Sequence, residues 1–479
     1  CSPSWTRGIA QWQSNVFSRF ITMSDFTDHR LLALTPLDGR YGSRLEKLAD
    51  YFSELALIRA RIRVEVEYLI ALSRLDTLPE CPPLEEIAIA KLRAWAASFS
   101  IGESREVKAE EARTNHDVKA VELIIARQLN AWGLDSYRPW VHFALTSEDV
   151  NNLAYTLNWE NALKDVWLPE FKSLEQALTS KARDYGKIPL LSLTHGQPAT
   201  PTTVGKELAV VAHRLRRQQE TLTQHHFTGK FSGATGSWAA HQVAALEVDW
   251  LRFSRDFLET LGLELNPLTT QVEPYDSLSE SMHVLMRIHS LLIDFSRDMW
   301  LYISRGIWAQ KKAEEEVGSS TMPHKINPIA FENAEGNFGL ANALFAFLSQ
   351  HLTRSRLQRD LSGSTVIRNL GTALGYSYLG LTSLASGMAR VTVDEGRCRE
   401  ELNRHWEVLA EAVQTVLRKT GDTEAYDRLK AFSRGETLDR EQYRSFVESL
   451  SLPEADRKAL INLTPETYTG LARKLAEDR

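Results

Sequence analysis

The sequence predicts an all-α fold, and three observations carry that expectation. Proline is absent between Pro274 and Pro323 and again between Pro328 and Pro453. Helices there can run long without the roughly 3 kcal/mol that an interior proline costs. Leu285, Ile288, Leu292, Phe295 and Met299 recur at the three-four spacing of a bundle seam, which predicts one long helix through this stretch. Segments alternating apolar and polar residues between turn pairs are scarce, so strands are not expected to build the core.

At 479 residues the chain exceeds one ordinary core. A helical domain is expected over 23–134, closed by the Trp132-Gly133 break and with Pro82-Pro83 marking a loop inside it. A central long-helix bundle is expected over 135–390, and a smaller helical domain over 391–479. Residues 1–22 carry Arg7, Arg19 and two tryptophans but no acidic residue, and stop just before Met23-Ser24-Asp25. They are expected to be an extension outside the fold. The uncharged run 369–389 is long enough to suggest a membrane span, but it is rich in Gly, Ser and Thr. Gly371 and Gly375 suit close helix packing, so a buried bundle helix is expected.

A net charge of -6 leaves no global basic field to attract nucleic acid or an anionic membrane. An anionic ligand would have to be captured by local positive groups. The three cysteines, Cys1, Cys81 and Cys398, are far apart and form no Cys-x-x-Cys, which fits a reduced, cytoplasmic protein.

Several stretches place polar or basic residues at expected helix beginnings. Thr114-Asn115-His116-Asp117 precedes the apolar pattern of Val118, Val121, Leu123 and Ile124. Thr114 and Asp117 have capping-box spacing, which would put His116 in the first turn. A cap that happens to contain a histidine explains this motif equally well. Thr146-Ser147-Glu148-Asp149 repeats the Thr-x-x-Asp pattern and by itself suits a structural cap.

In Leu193-Thr194-His195-Gly196-Gln197-Pro198-Ala199-Thr200-Pro201, the Thr200-Pro201 pair is expected to begin a helix through Glu207 and Leu208. His195 would then sit in a stiff polar loop beside a glycine that allows close approach of a ligand, a setting for acid–base chemistry. A lone histidine is more often structural. Gln271 lies in the donor-rich loop Thr269-Thr270-Gln271-Val272-Glu273-Pro274, ahead of the long helix. Arg359, Ser364, Thr365 and Arg368 put two guanidinium groups and two hydroxyls within one short span. That combination suits phosphate or carboxylate, against the alternative of a solvated basic face.

The densest stretch is Gly318-Ser319-Ser320-Thr321-Met322-Pro323-His324-Lys325-Ile326-Asn327-Pro328. Asn327-Pro328 is an expected N-cap and first helical position. Lys325 and the unpaired N–H groups of that helix start would make one positive spot for an anion. The charged segment 311–317 before it has the character of a solvated lid. A plain interhelical turn needs no such combination. No Walker A, His-Glu-x-x-His or Gly-x-Ser-x-Gly pattern occurs, and Gly229, Gly233 and Gly236 follow no expected strand. His225 and His226 are neighbours and would point about 100° apart on a helix. No metal and no cofactor are expected.

The run 318–328 resembles the signature loop of the fumarase/aspartase superfamily, Gly-Ser-Ser-x-Met-Pro-x-Lys-x-Asn-Pro, and His324 within it looks like the adenylosuccinate lyase version. From Arg40 onward the chain is similar to the longer bacterial type of that family, at Arg40-Tyr41-Gly42, 114–117, 146–152, 194–203, Gln271, the signature loop and 364–368. The resemblance implies a homotetramer around a central bundle, with each active site built from three chains. It implies two β-eliminations of fumarate, from adenylosuccinate to give AMP and from SAICAR to give AICAR.

It also implies roles. Ser319 is the base and His195 the acid, Glu332 orients the histidine, and Lys325 and Asn327 hold the succinyl carboxylates. His116, Ser364 and Arg368 match phosphate-binding positions, with Arg40 and Tyr41 close by. Asn115, Asp117, Thr146, Ser147, Gln271, Ser320, Arg359 and Thr365 complete the substrate shell. The implied partners are small-molecule substrates and copies of the chain, with no nucleic acid and no membrane. Two alternatives stand beside this. One is another fumarate-releasing lyase of the superfamily, argininosuccinate lyase or fumarase, whose substrates carry no phosphate for the 359–368 cluster. The other is a catalytically silent structural homologue, against which intact Ser319, His195 and Lys325 weigh.

Overall fold

The computed structural model describes residues 26–311, 322, 326–425, 429 and 438–477. The expected extension, 1–22, lies outside them. The chain divides into two compact units, residues 1–47 and 48–479. In the first unit, Arg30 at the end of a short helix donates to Glu46 at 2.7 Å. The Thr35 hydroxyl donates to Asp38 at 2.6 Å, shaping the turn that leads to Arg40 and Tyr41. Arg40 and Arg44 both lie over the Tyr41 ring, where its π face attracts cationic groups.

The second unit is helical, as the sequence predicts. Helix α1 (Glu54–Leu72) starts where Ser53 accepts the Ala56 N–H, and it buries an aliphatic face that also carries Arg61 and Glu65. Helix α2 (Ile101–Thr114) opens with a capping box between Ser100 and Glu103. Helix α3 (Asp117–Ala131) stops at the expected break, where Gly133 takes a φ of +71°.

The bundle begins with α4 (Ser147–Ala162), which passes through a π turn at Leu163–Trp167 into α5 (Leu168–Asp184). The junction residues keep helical angles, so α4 and α5 form one rod of roughly 55 Å at about 1.5 Å per residue. Helices α6 (Val204–Thr223), α7 (Asp276–Ser304), α8 (Ile329–His351), α9 (Ser362–Ile367) and α10 (Leu370–Ala389) complete it.

Helix α7 is the long helix expected from the seam, and Leu285, Ile288, Leu292, Phe295 and Met299 are all buried. Helices α7 and α8 run antiparallel, joined by Ser279 to the Ser349 carbonyl at one end and Arg297 to Glu335 at the other. Helix α10 is the buried helix expected over 369–389. A Cβ at Gly380 would lie 2.6 Å from the Phe338 ring, so only glycine lets α10 and α8 approach this closely. Mid-bundle, Ser377 accepts from Trp167 at 2.7 Å and meets His289 at 2.7 Å, while His289 bonds Asn342. One polar network thus ties the π turn between α4 and α5 to α7, α8 and α10 in register.

Strands are few, but one pair corrects the sequence expectation. β1 (Pro189–Thr194) and β2 (Gln197–Thr203) form an antiparallel hairpin, so Thr200-Pro201 lies in a strand and α6 starts later, capped by Thr203 accepting the Lys206 N–H. Three β-branched threonines favour extended backbone there. Pro201 lies opposite the register shift at Leu191, where no ladder donor is demanded of it. Leu191 inserts into a C-terminal cluster with Trp406, Leu409 and Tyr443, built by α11 (Ala410–Lys419), α12 (Arg440–Ser449) and α13 (Glu454–Asn462). The remaining pairs are β3 (Thr228–Gly229) with β4 (Glu264–Leu265) and β5 (Trp308–Gln310) with β6 (Val391–Val393). Among the described residues no helix is long and apolar enough to cross a membrane.

Candidate active site

A cavity of about 780 Å³ opens at the end of the bundle where α4 and α7 begin. Its size suits a nucleotide-sized ligand. It is lined by Asn115, His116, Asp117, Ser147, Gln271, Arg359, Ser364 and Arg368, all anticipated from the sequence.

The route of the chain explains the convergence. Asn115 caps α2 in the left-handed region at φ 52°, and the backbone turns directly into α3. His116 does not occupy the first turn, as expected, but is itself the N-cap, its Nδ1 accepting the Lys119 N–H at 3.1 Å. No Thr114–Asp117 capping box forms, because Thr114 belongs to the end of α2 and its hydroxyl donates to the Glu110 carbonyl. With Nδ1 an acceptor, neutral His116 carries its proton on Nε2, 3.5 Å from the Ser147 hydroxyl.

Thr146 and Asp149 do form the expected cap, the Thr146 N–H donating to Asp149 at 2.8 Å. Asp149 serves the fold, since it is fully buried and accepts from Lys230 and the Ser232 N–H. Ser147 lines the cavity, whereas Thr146 and Thr365 do not.

Asp117 lies between two guanidinium groups, accepting from Arg61 at 2.6 Å and from Arg368 at 3.3 Å. Burial alone would push its carboxyl up, but Arg61, the Val118 N–H and Arg368 outweigh that and hold it below the ordinary carboxylate range. Arg368 is half-exposed and also lies 3.8 Å from Glu54. Arg359 donates to Gln271 at 3.2 Å and to Ser364 at 3.4 Å. The cavity therefore mixes exposed cationic groups with carboxylates that orient them, a wall suited to a phosphate monoester.

Sequence reasoning missed Arg61, Glu148, Glu273 and Tyr275 on this wall. Arg61 had a usable signal, a charge on the mostly apolar face of α1, where a buried guanidinium requires a partner. Glu273 and Tyr275 had none, because nothing in a loop sequence states which side chains will be buried.

His195, Asn327 and Glu332 belong to the opposite end of the bundle, where α5 and α7 finish. His195 and Gly196 form the two-residue turn of the β1–β2 hairpin, with φ of 53° and 74°. His195 is exposed and makes no hydrogen bond among the described residues. Glu332, in the first turn of α8, accepts from Trp300 at 3.1 Å. Asn327 is half-buried, and the cap of α8 is Pro328 rather than Asn327. Pro328 has a non-helical ψ of 46° and its carbonyl accepts the first helical N–H groups, so the helix starts one residue later than expected. Ser319, Ser320 and Lys325 lie outside the described residues. Arg40 and Tyr41 belong to the first unit.

The family described as Lyase matches residues 39–341, and Adenylosuccinate lyase C-terminal matches residues 355–469. The chain is 45% identical over 448 residues to the adenylosuccinate lyase of Legionella pneumophila (strain Corby), covering 93% of this chain and 98% of that one. It is 43% identical over 449 residues to that of Escherichia coli (strain K12), covering 94% and 98%. The chain belongs to the adenylosuccinate lyase family.

Solved structures extend the fold to more distant proteins. The 3-carboxy-cis,cis-muconate lactonizing enzyme of Pseudomonas putida matches with a TM-score of 0.70 at 24% identity, covering 90% of this chain and 96% of that one. A fumarate lyase of Mesorhizobium sp. BNC1 matches with a TM-score of 0.71 at 20% identity, covering 90% and 97%. At those identities the likeness is one of fold. In this adenylosuccinate lyase family member the Arg359–Arg368 cluster falls in the segment matched by the C-terminal family, whereas Asn115, His116, Asp117, Ser147 and Gln271 fall in the Lyase segment. The cavity is where the two segments meet.

Proposed function

We propose that the chain catalyses two β-eliminations of fumarate, from adenylosuccinate to give AMP and from SAICAR to give AICAR, in purine nucleotide biosynthesis. The observation that carries this is the cavity wall, where His116, Ser147, Arg359, Ser364 and Arg368 face one nucleotide-sized space. Fumarase and argininosuccinate lyase substrates offer no phosphate for such a wall.

The chemistry needs a base for the succinyl proton, an acid on the departing nitrogen, and cations facing the carboxylate as it takes up charge. The proposed base is Ser319 and the proposed acid His195, which Glu332 orients. Lys325 and Asn327 hold the succinyl carboxylates. Arg368, Ser364 and His116 take the phosphate, with Arg40 and Tyr41 close by. Asn115, Asp117, Thr146, Ser147, Gln271, Ser320, Arg359 and Thr365 complete the shell.

Within one chain the cavity and His195 stand tens of ångströms apart, at opposite ends of the α4–α5 rod. With His195 as the proposed acid, a complete site takes groups from more than one copy, and this supports the reading of a homotetramer with shared sites. We further propose three domains over 23–134, 135–390 and 391–479, and a cytoplasmic location. The buried free thiols of Cys81 and Cys398 fit such a location.

The test is direct. Purified protein mixed with adenylosuccinate should release AMP and fumarate, followed by ultraviolet absorbance and by chromatography of the products. Absence of turnover, or turnover of argininosuccinate or malate instead, overturns the proposal.

A further inference from the structure

Arg359 comes from a stretch between α8 and α9 that has no regular hydrogen-bond ladder of its own, next to Leu357, which is 94% exposed and has a positive φ. Its backbone does little to aim its side chain, so the guanidinium depends on the groups around it. Three side chains meet it: Gln271 at 3.2 Å, Ser364 at 3.4 Å and Glu148 at 3.5 Å. Gln271 and Ser364 are uncharged and line the cavity, and the Gln271 amide is committed in turn to the Ala234 carbonyl at 2.8 Å. Asp360, the adjacent carboxylate, is committed elsewhere, accepting from the Arg356 N–H and from both the N–H and hydroxyl of Ser362.

Glu148 differs from the others in being both charged and buried. It is 5% exposed, sits in the first turn of α4, and accepts from the Tyr275 hydroxyl at 3.1 Å. Tyr275 is buried and opens α7. The carboxylate is thus tied to the starts of two bundle helices. Burial pushes the Glu148 carboxyl up, and the Arg359 guanidinium and the Tyr275 hydroxyl oppose that shift. Burying a carboxylate costs stability unless a partner offsets it, and the partner here is the arginine that faces the cavity.

We propose that Glu148, held by Tyr275, is a positioning residue that aims Arg359 into the cavity, so that substrate affinity depends on a carboxylate that need not touch substrate. The Nε–H and one Nη1–H of Arg359 then remain for an anionic group, since neither has a partner among the described residues. This rests on the cavity being the substrate site.

A double-mutant cycle tests it, with KM and kcat for adenylosuccinate measured on the full-length protein and assembly checked by light scattering. Arg359→Ala is expected to raise KM by about 10- to 100-fold, and Glu148→Ala by about 10-fold with kcat changed less than about threefold. The double variant should be no worse than Arg359→Ala alone, because the second change removes a support with nothing left to support. Independent, multiplying effects overturn the proposal while leaving the substrate site in place. An unchanged KM in Arg359→Ala overturns the assignment of the cavity and this proposal with it. Should Glu148→Ala fail to fold, Tyr275→Phe takes its place in the cycle. It should raise KM by about two- to fivefold in the wild-type background and leave it unchanged in Arg359→Ala; equal effects in both backgrounds overturn the proposal.

Discussion

At the end of the bundle where α4 and α7 begin, polar side chains from five segments line one cavity, and Arg368, Arg359 and Asp117 each already have partners in the same chain. At the end where α5 and α7 finish, His195 stands in an exposed hairpin turn, and Glu332 is engaged only by Trp300 among the described residues. One end is a polar wall assembled within a chain. The other carries chemically capable groups, His195 and Glu332, on exposed surface. On the function proposed above, the difference teaches that a rigid bundle would hold the binding half and the chemical half of a site apart, and that assembly would bring them together.

The largest effect expected from breaking this division is at the exposed end. His195→Ala should lower kcat by about 10³-fold, within the range for losing a general acid, while the oligomer stays intact by light scattering. Near-normal turnover would remove His195 from the chemistry. At adenylosuccinate well below KM, where both variants turn over slowly, mixing His195→Ala with Arg368→Ala under conditions that let subunits exchange should raise activity above that of either parent. A mixture no more active than its better parent would mean that one chain supplies both groups.

A smaller effect is expected at the cavity. Arg368→Ala should raise KM for adenylosuccinate by about 10- to 100-fold with little change in kcat, as for a charge-assisted hydrogen bond lost equally from ground and transition states. An unchanged KM would take Arg368 out of the phosphate position.

The smallest effect concerns stability at the same end. Burial pushes the Glu273 carboxyl up from 4.5 to about 7, against the opposing hydrogen bonds from Asn266 and Thr228. The native state keeps a proton that the unfolded chain releases above about pH 4.5. Its contribution to stability is therefore whole below that pH and is lost as pH rises towards 7, by about 3 kcal/mol. Glu273→Gln should flatten the fall of the thermal midpoint between about pH 5 and 7 at fixed protein concentration. A fall as steep as in the wild type would refute this account of Glu273.

Much of the molecule was legible beforehand, and the misses share a cause. The α7 seam and the buried α10 were readable because apolar spacing and the lack of proline are local properties that packing then respects. The hairpin at 189–203 was not, because Thr200-Pro201 carries both a helix-start signal and a strand-edge tolerance. Docking of Leu191 onto the C-terminal cluster favours the strand. His116 was expected within the first turn of α3, but its imidazole took over the cap once the Thr114 hydroxyl was bound to the turn behind it.

Taken alone, the order of residues determined the helical class, the family, and several of the short polar stretches that line the cavity, since each is written in spacing and residue type within a dozen positions. Only the tertiary structure decided that Glu148 and Tyr275 stand behind Arg359, that Arg61 reaches Asp117, and that His195 lies a bundle's length from the cavity. Those relations depend on where rigid helices of fixed rise begin and end in space, and no local pattern encodes a distance between two such ends.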